Sequence, residues 1–315
     1  MTERGRFAPS PTGELHLGNA RTAILAWLWA RSEAGGFTMR VEDLDRPRVR
    51  KGLAERQVEE LSWLGISWDE GPDPRTGEDA GPHGPYRQSR RDSFYEAAIA
   101  RLGDHVYECF CSRAEIAAAS APHGPQDDGP RYPGTCAKLT AAQRAERRRT
   151  RSPALRLRVP PGPIEFTDEL AGAQRFDPSA SVGDFVLRRA DGIFAYQLAV
   201  VVDDAAMKVT QVLRADDLLP STARQILLYR LLGLPEPRWA HAGLVVGASG
   251  ERLSKRDRAA SLSALRAAGR DPRELVAGLC AASGLPELPG HTLAERVESF
   301  ALDRVRPGAV RLGSA

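Results

Sequence analysis

The most constraining stretch of the chain is Arg6-Phe7-Ala8-Pro9-Ser10-Pro11-Thr12-Gly13-Glu14-Leu15-His16-Leu17-Gly18-Asn19. Its prolines fix φ and remove backbone donors while its glycines permit sharp turns, so the segment has to be a tight loop. It runs into residues 20–34, where Ala23, Ile24, Trp27, Leu28 and Ala30 have helical spacing. His16 is then expected one turn before the helix. Gly35-Gly36 stops that helix, and Phe37-Thr38-Met39-Arg40-Val41 reads as a strand with Glu42-Asp43 at its polar end. Loop, helix and strand in this order begin an α/β layered domain. A loop feeding a helix N-terminus is also a place to hold a triphosphate, because backbone N–H groups there favour anions. A histidine beside it can stabilise charge while an α-phosphate is attacked. An isolated His-x-Gly is more often a proline-bounded surface turn, so the rest of the chain has to decide.

Amphipathic helices are expected over residues 53–64 and 94–102, a charged helix over 141–150 and a further helix over 221–232. Strands are expected at 154–159 and 209–213, and Leu244-Val245-Val246 leads into the turn Gly247-Ala248-Ser249-Gly250. The apolar run 193–202 ends at Asp203-Asp204. It reads as a buried strand or as a strand joined to a helix, and periodicity alone does not separate the two. Residues 117–133, rich in Ala, Gly, Pro and Asp, are expected to form a mobile loop, and the tail after Leu262 to be mostly helical. There is no internal repeat.

A chain of 315 residues with 42% hydrophobic and 27% charged residues suits one large globular domain or two modest ones. No run approaches the roughly 20 apolar residues of a membrane span. Met1–Arg6 is not followed by an apolar h-region, so a secretory leader is not expected. A cytoplasmic monomer with no membrane partner is expected. The net charge of +3, from 44 basic and 41 acidic residues, neither demands nor excludes nucleic acid. Arg144, Arg147, Arg148, Arg149 and Arg151, with Arg156 and Arg158, could touch phosphates or could form a solvated face paired with Glu146.

Three of the four cysteines, Cys109, Cys111 and Cys136, fall within 28 residues. In a reducing compartment such clustering suggests a metal site more than a disulfide. Zinc takes four ligands, so three thiolates leave one place to fill, for which His105 and His123 are chemical candidates. Three buried thiols without metal are the plainer reading. Cys280 lies in an apolar context and is expected in the core.

A second basic motif, Arg252-Leu253-Ser254-Lys255-Arg256, follows the Gly247–Gly250 turn. Alone it would be a solvated segment. With both motifs present in order, the chain resembles the class I aminoacyl-tRNA synthetases, most closely the glutamyl branch. Arg6–Asn19 is similar to that family's "HIGH" region, although His16-Leu17-Gly18-Asn19 departs from the tetrad at its second and last positions. Arg252–Arg256 looks like the "KMSKS" loop, with arginine at the first and last positions. The resemblance implies an α/β fold with a Rossmann-like parallel sheet. Its halves would be 1–103 and 193–246, interrupted by an inserted zinc-containing subdomain at 104–192 and followed by a loop and helical stem-contact segment at 247–315. It implies ATP carried with Mg²⁺. His16, Gly18 and Lys255 would be catalytic, and Asn19, Arg252 and Ser254 would join them around ATP.

The same resemblance implies a pocket for L-glutamate. Arg6, Phe7, Ala8, Pro9 and Ser10 would line it, with Glu42 from Arg40-Val41-Glu42-Asp43 and Arg214. Tyr196 would join them from the Tyr-x-x-Ala-x-Val-x-Asp-Asp run that ends at Asp203-Asp204. Ala215 replaces a glycine frequent after that arginine. Guanidinium forks suit carboxylates, and Glu42 and Tyr196 can accept from an ammonium. Sequence alone does not bring the four together: a surface Arg6, a Glu42 paired with Arg40 or Arg46, and a core Tyr196 are the plainer readings. Cys109-Phe110-Cys111 with Tyr132-x-x-x-Cys136 is similar to the zinc site of a subset of the family, where a tyrosine joins three cysteines. That pattern selects Tyr132 over the histidines.

The resemblance covers residues 5–288, and 59 residues (315 minus 256) follow Arg256. A large helical anticodon-binding region is not expected in them. A catalytic core with this Cys/Tyr pattern resembles the glutamyl-queuosine tRNA(Asp) synthetases. These activate glutamate without tRNA and transfer it to the queuosine base in the anticodon loop of tRNA(Asp). The partners implied are ATP, L-glutamate and queuosine-bearing tRNA(Asp). The alternatives are a truncated glutamyl-tRNA synthetase charging tRNA(Glu) and an inactive tRNA-binding paralogue.

Overall fold

The computed structural model describes residues 2–119, 131–247 and 261–311. Strand β1 (Arg4–Phe7) pairs in parallel with β2 (Gly36–Met39), from Arg4↔Gly36 to Phe7↔Met39. Helix α1 (Leu17–Ser32) makes the crossover and begins three residues earlier than the apolar spacing indicates. His16 is its N-cap rather than a residue one turn upstream. The Gly18 N–H donates to His16 Nδ1 at 3.1 Å, and the His16 N–H donates to Asn19 Oδ1 at 3.1 Å. This is a capping box made by His and Asn in place of Ser/Thr and Glu/Gln, so the usual start signal is missing. From Ala20 to Ala30 every residue but Thr22 is buried, as in a helix enclosed on all sides.

The chain next forms α2 (Leu53–Trp63), the short ribbon β3 (Gly71–Pro72) and β4 (Asp79–Ala80), and α3 (Asp92–Leu102). Strands β5 (Val106–Cys109), β6 (Ala154–Leu157) and β9 (Val186–Arg188) make a separate antiparallel sheet. Around it lie α4 (Arg113–Ala119), α5 (Ala141–Arg148) and α6 (Pro178–Ser181). The loop expected over 117–133 begins inside α4, where the alanine run favours helix. Residues 120–130 lie outside the described ones. Two further strands of this stretch, β7 (Ile164–Asp168) and β8 (Gly172–Phe176), join the main sheet instead.

The run 193–202 resolves as the helical alternative. Phe194 makes a bridge to Arg188, and α7 (Tyr196–Ala206) follows. Burial against the sheet overrides the strand preference of Val200, Val201 and Val202. Strand β10 (Gln211–Ala215), helix α8 (Leu219–Leu231) and strand β11 (Arg238–Ala242) complete the layer. Beyond them β12 (Val245–Val246) pairs in parallel with the late β13 (Val310–Arg311), and α9 (Leu262–Ala267) and α10 (Pro272–Ala282) lie between. Cys280 is buried in the core that encloses α1, as expected. No helix among the described residues is long and apolar enough to cross a membrane.

Strand β10 lies on the side of β1 away from β2: the Thr210 N–H donates to Arg4 O and the Arg4 N–H to Thr210 Oγ1, both at 2.9 Å. Parallel pairing continues to β11 and, at Trp239↔Asp168, to β7, with β8 antiparallel at the edge. The order is therefore β2-β1-β10-β11-β7-β8. The chain leaves β1 toward one side and returns on the other, and ligands of such sheets bind where the strand order switches, at the carboxyl ends. Side chains alternate along a strand. Phe7, Leu213 and Ala240 enter the core around α1, while Val212 and Trp239 enter the core beneath α7 and α8. Arg6, Arg214 and His241 thus share the α7/α8 face.

The basic cluster is largely committed to neighbours. Arg148 pairs with Glu108 at 2.8 Å, Arg149 with Glu146 at 3.1 Å and Arg151 with Glu115 at 2.9 Å. Arg148 ends α5 while Arg149 and Arg151 follow it, and solvent-accessible ion pairs of this kind contribute little to stability.

Glu60 on α2 is 1% exposed, and among the described residues neither carboxylate oxygen has a hydrogen-bond partner. Burial, and then the nearby Glu14, push its carboxyl up to about 7. The folded pKa exceeds the unfolded one, so stability is lost as pH rises from about 4.5 to about 7. Glu60→Gln is expected to raise stability near pH 8 by about 2 kcal/mol and to change it little near pH 5. Thermal midpoints at the two pH values check this.

Candidate active site

A cleft of about 450 Å³ opens at the switch point between β1 and β10. Arg6 and Arg214 flank it, and Phe7, Ala8, Pro9 and Ser10 carry the wall onward from β1. His16, Asn19, Glu42 and Tyr196 also line the cavity. The side chain of Gln57 on α2 holds the loop in shape, donating to Ser10 O at 3.2 Å and Gly13 O at 2.8 Å. The Gly18 N–H bond to Nδ1 leaves the proton of a neutral His16 ring on Nε2. Gly18 itself is packed against that ring, and a Cβ there would lie 2.9 Å from His16 Cε1.

Beneath the cleft a buried ionic network fixes the polar groups. Arg40 bonds Asp204 at 2.6 Å and Glu42 at 3.0 Å, and Arg6 Nε lies 3.5 Å from Asp204. Asp203 accepts from Arg91 at 2.5 Å, Gln88 at 2.7 Å and Tyr95 at 2.9 Å. Asp203 and Asp204 stand seven and eight residues after Tyr196 on α7, so one helix face presents all three to the sheet. Glu42 thus pairs with Arg40 and also lines the cleft. Burial raises its carboxyl above the usual range, opposed by Arg40 and then Arg6. Tyr196 keeps 36% exposure because it faces the open cavity. Arg214 donates from Nε to His241 Nε2 at 2.9 Å, from Nη1 to Gln225 at 2.8 Å and from Nη2 to Thr222 at 2.9 Å.

Arg252, Ser254 and Lys255 lie outside the described residues. The chain on either side of them sits at His16. Val245 is 3.8 Å from the position of a Cβ on Gly18, and Ser261 makes an antiparallel bridge with His16. The Leu262 N–H donates to Leu15 O at 2.8 Å.

The sequence profile of the class I tRNA synthetases (E and Q), catalytic domain, matches residues 3–304. The Glutamyl-Q tRNA(Asp) synthetase of Symbiobacterium thermophilum is 52% identical over 98% of this chain and 95% of its own length. The chain belongs to the glutamyl-Q tRNA(Asp) synthetase family. Its namesake in Nocardia farcinica is 49% identical over 95% of this chain and 91% of its own. Among solved structures, a glutamate–tRNA synthetase from Elizabethkingia anophelis superposes with a TM-score of 0.85 at 28% identity, over the whole of this chain and 68% of that one. The α/β class I catalytic fold expected from the sequence is therefore the fold of this family member.

A second cluster lies on the β5-β6-β9 sheet. The Sγ atoms of Cys109, Cys111 and Cys136 all lie within 4.8 Å of one another. The Tyr132 hydroxyl is 3.3 Å from Cys109 Sγ and 3.8 Å from Cys111 Sγ, and Cys111 and Cys136 are 3.5 Å apart. Ligands on a tetrahedral zinc with bonds near 2.3 Å stand about 3.8 Å apart, so the donor set fits that ion. Supporting bonds suit anionic ligands: the Cys136 N–H donates to the Tyr132 oxygen at 2.9 Å and the Phe110 N–H to Cys136 Sγ at 3.4 Å. The Arg156 guanidinium lies 3.8 Å over the Tyr132 ring. His105 sits before β5 and is not part of the cluster, and His123 is outside the described residues.

Sequence reasoning missed Gln57, Thr222, Gln225, His241 and Asp168. All five are buried polar side chains whose partners lie in other segments of the chain. The only signal was a histidine inside the apolar run Trp239-Ala240-His241-Ala242.

Proposed function

We propose that this chain uses ATP to activate L-glutamate as glutamyl-adenylate without tRNA, and then transfers glutamate to the queuosine base in the anticodon loop of tRNA(Asp). The observation that carries the reading is one cleft lined together by Arg6, Arg214, Glu42, Tyr196 and His16. Two guanidinium groups suit the two carboxylates of glutamate, and Glu42 and Tyr196 suit its ammonium. The α-carboxylate attacks the α-phosphorus, a new P–O bond forms, and the bond to pyrophosphate breaks. His16 and Lys255 stabilise the charge that develops there, aided by Asn19, Arg252 and Ser254 around the nucleotide. Mg²⁺ carried by ATP would neutralise phosphate charge. Cys109, Cys111, Tyr132 and Cys136 would hold one zinc in a closed, structural site. The names of the two bacterial relatives support the acceptor. So does a second cavity, of about 600 Å³, which shares Tyr196 with the cleft and is bounded by Tyr132, Arg156 and Asp184. It offers an acceptor base a route to the adenylate.

The deciding experiment is pyrophosphate exchange with L-glutamate in the absence of tRNA, followed by glutamate transfer to tRNA(Asp) with and without queuosine. Exchange without tRNA, and transfer only to the modified tRNA, are expected. Equal charging of both tRNA samples would overturn the acceptor. Arg214→Ala is expected to raise the KM for glutamate, at a cost of about 2–3 kcal/mol in binding. Initial rates at varied glutamate should show kcat changing far less.

A further inference from the structure

We propose that Asp168 and His241 form a buried positioning relay that orients Arg214 and thereby sets the affinity of the cleft for the substrate carboxylate. This rests on the reading of Arg214 as a glutamate-binding residue. Asp168 ends β7, a strand of the main sheet contributed by the long stretch between the two catalytic halves. Its Oδ1 accepts backbone N–H bonds from Leu170 at 3.0 Å, Ala171 at 2.8 Å and His241 at 3.1 Å. Its Oδ2 stands 2.6 Å from His241 Nδ1, and both side chains are 0% exposed. On the far side of the ring, His241 Nε2 receives the Arg214 Nε–H at 2.9 Å, with Thr222 Oγ1 3.2 Å away.

The order of donors admits one arrangement. Guanidinium N–H groups only donate and a carboxylate only accepts, so the His241 proton has to be on Nδ1 with Nε2 as the acceptor. Burial works against the Asp168 carboxylate, but the His241 and backbone donors outweigh it and hold its pKa below the usual range. Burial lowers the His241 pKa to about 4, so the imidazole is neutral in ordinary buffers. A buried imidazole without Asp168 would be free to move its proton to Nε2, where it would face the Arg214 N–H and turn the guanidinium away. The relay works through another residue and touches no reacting atom, so its signature is in KM and not in the chemical step. An aspartate that fixes the tautomer of a working histidine serves the same logic in other enzymes.

The test measures glutamate-dependent pyrophosphate exchange for wild type, Asp168→Asn, His241→Gln and His241→Asn. The Gln carboxamide can reach the place of Nε2 and accept from Arg214, whereas the Asn carboxamide reaches only the place of Nδ1. Asp168→Asn and His241→Asn are expected to raise the KM for glutamate by about tenfold or more. Their kcat and their KM for ATP should stay within about threefold of wild type, and His241→Gln should keep a KM close to wild type. The two amides are similar in size and polarity, so a purely structural role would not separate them, and the pair remains informative if Asp168→Asn does not fold. Equal KM values for the two His241 variants, or an equal fall of kcat in all of them, would overturn the relay. Absence of glutamate-dependent exchange in the wild type would overturn the parent reading instead.

Discussion

Gly18→Ala should cut glutamate-dependent pyrophosphate exchange by roughly two to three orders of magnitude without destabilising the fold. In most helices this substitution is favourable, since alanine is about 1 kcal/mol better than glycine. Gly18 is in the first turn of α1 and has no positive φ, so backbone strain does not oppose it. What opposes it is the His16 ring, whose Cε1 and Nδ1 would lie 2.9 and 3.0 Å from the new methyl group. Contacts that short force the ring away, break the Gly18 N–H bond to Nδ1 and move the ring from the position in which it lines the cleft. Loss of one preorganised donor to a developing oxyanion costs about 2–4 kcal/mol. Lys255→Ala is expected to cost a similar amount, with no steric component. The discriminating result is a Gly18→Ala protein with an unchanged or higher thermal midpoint and a severely reduced exchange rate. A variant that exchanges at the wild-type rate would remove His16 from the chemistry.

Much of this site was legible because its parts are local. The proline and glycine spacing of the first loop specifies a turn into a helix. The interval from Tyr196 to Asp203 and Asp204 puts all three on one face once α7 is known to be helical. What the sequence withheld depends on long-range pairing. No local pattern tells that β7 leaves the stretch around the cysteine cluster to lie beside β11, because strand partners are chosen by shared faces far apart in the chain. The same pairing delivers Asp168 to His241, so the support of Arg214 was hidden with it. The start of α1 departs from the apolar spacing for a different reason. Histidine and asparagine make an unusual cap, and the apolar spacing that marks the helix begins only at its second turn. The ambiguous run 193–202 shows the limit of propensity, since three successive valines are helical here under the pressure of burial.

Replacing Cys109 and Cys111 together by serine should abolish binding of about one zinc per chain and disable transfer more than adenylation. Among the described residues the apolar cluster at this end is small, with Tyr107, Cys109, Phe110, Tyr132 and Cys136 as its buried members. Three of the five are expected metal ligands, so little hydrophobic burial remains when the ion is lost. Structural zinc contributes apparent binding free energies of about 10 kcal/mol or more, well above the roughly 1.5–3 kcal/mol from burying one large apolar side chain. The damage should nevertheless be confined. Leu157 of β6 and Leu187 of β9 are anchored in the larger core beneath α7, and the walls of the 450 Å³ cleft come from other elements. Tyr132, by contrast, bounds the second cavity and carries Arg156 over its ring. Without the metal that wall loses its fixed position, while Arg6, Glu42 and Arg214 keep theirs through Asp204, Arg40 and His241. Metal analysis by mass spectrometry, paired with separate assays of pyrophosphate exchange and glutamate transfer, reads the two effects apart. Zinc retained at the wild-type level would refute the ligand assignment. An equal loss of both activities would show instead that the cysteine cluster supports the whole catalytic fold and not one wall of the acceptor route.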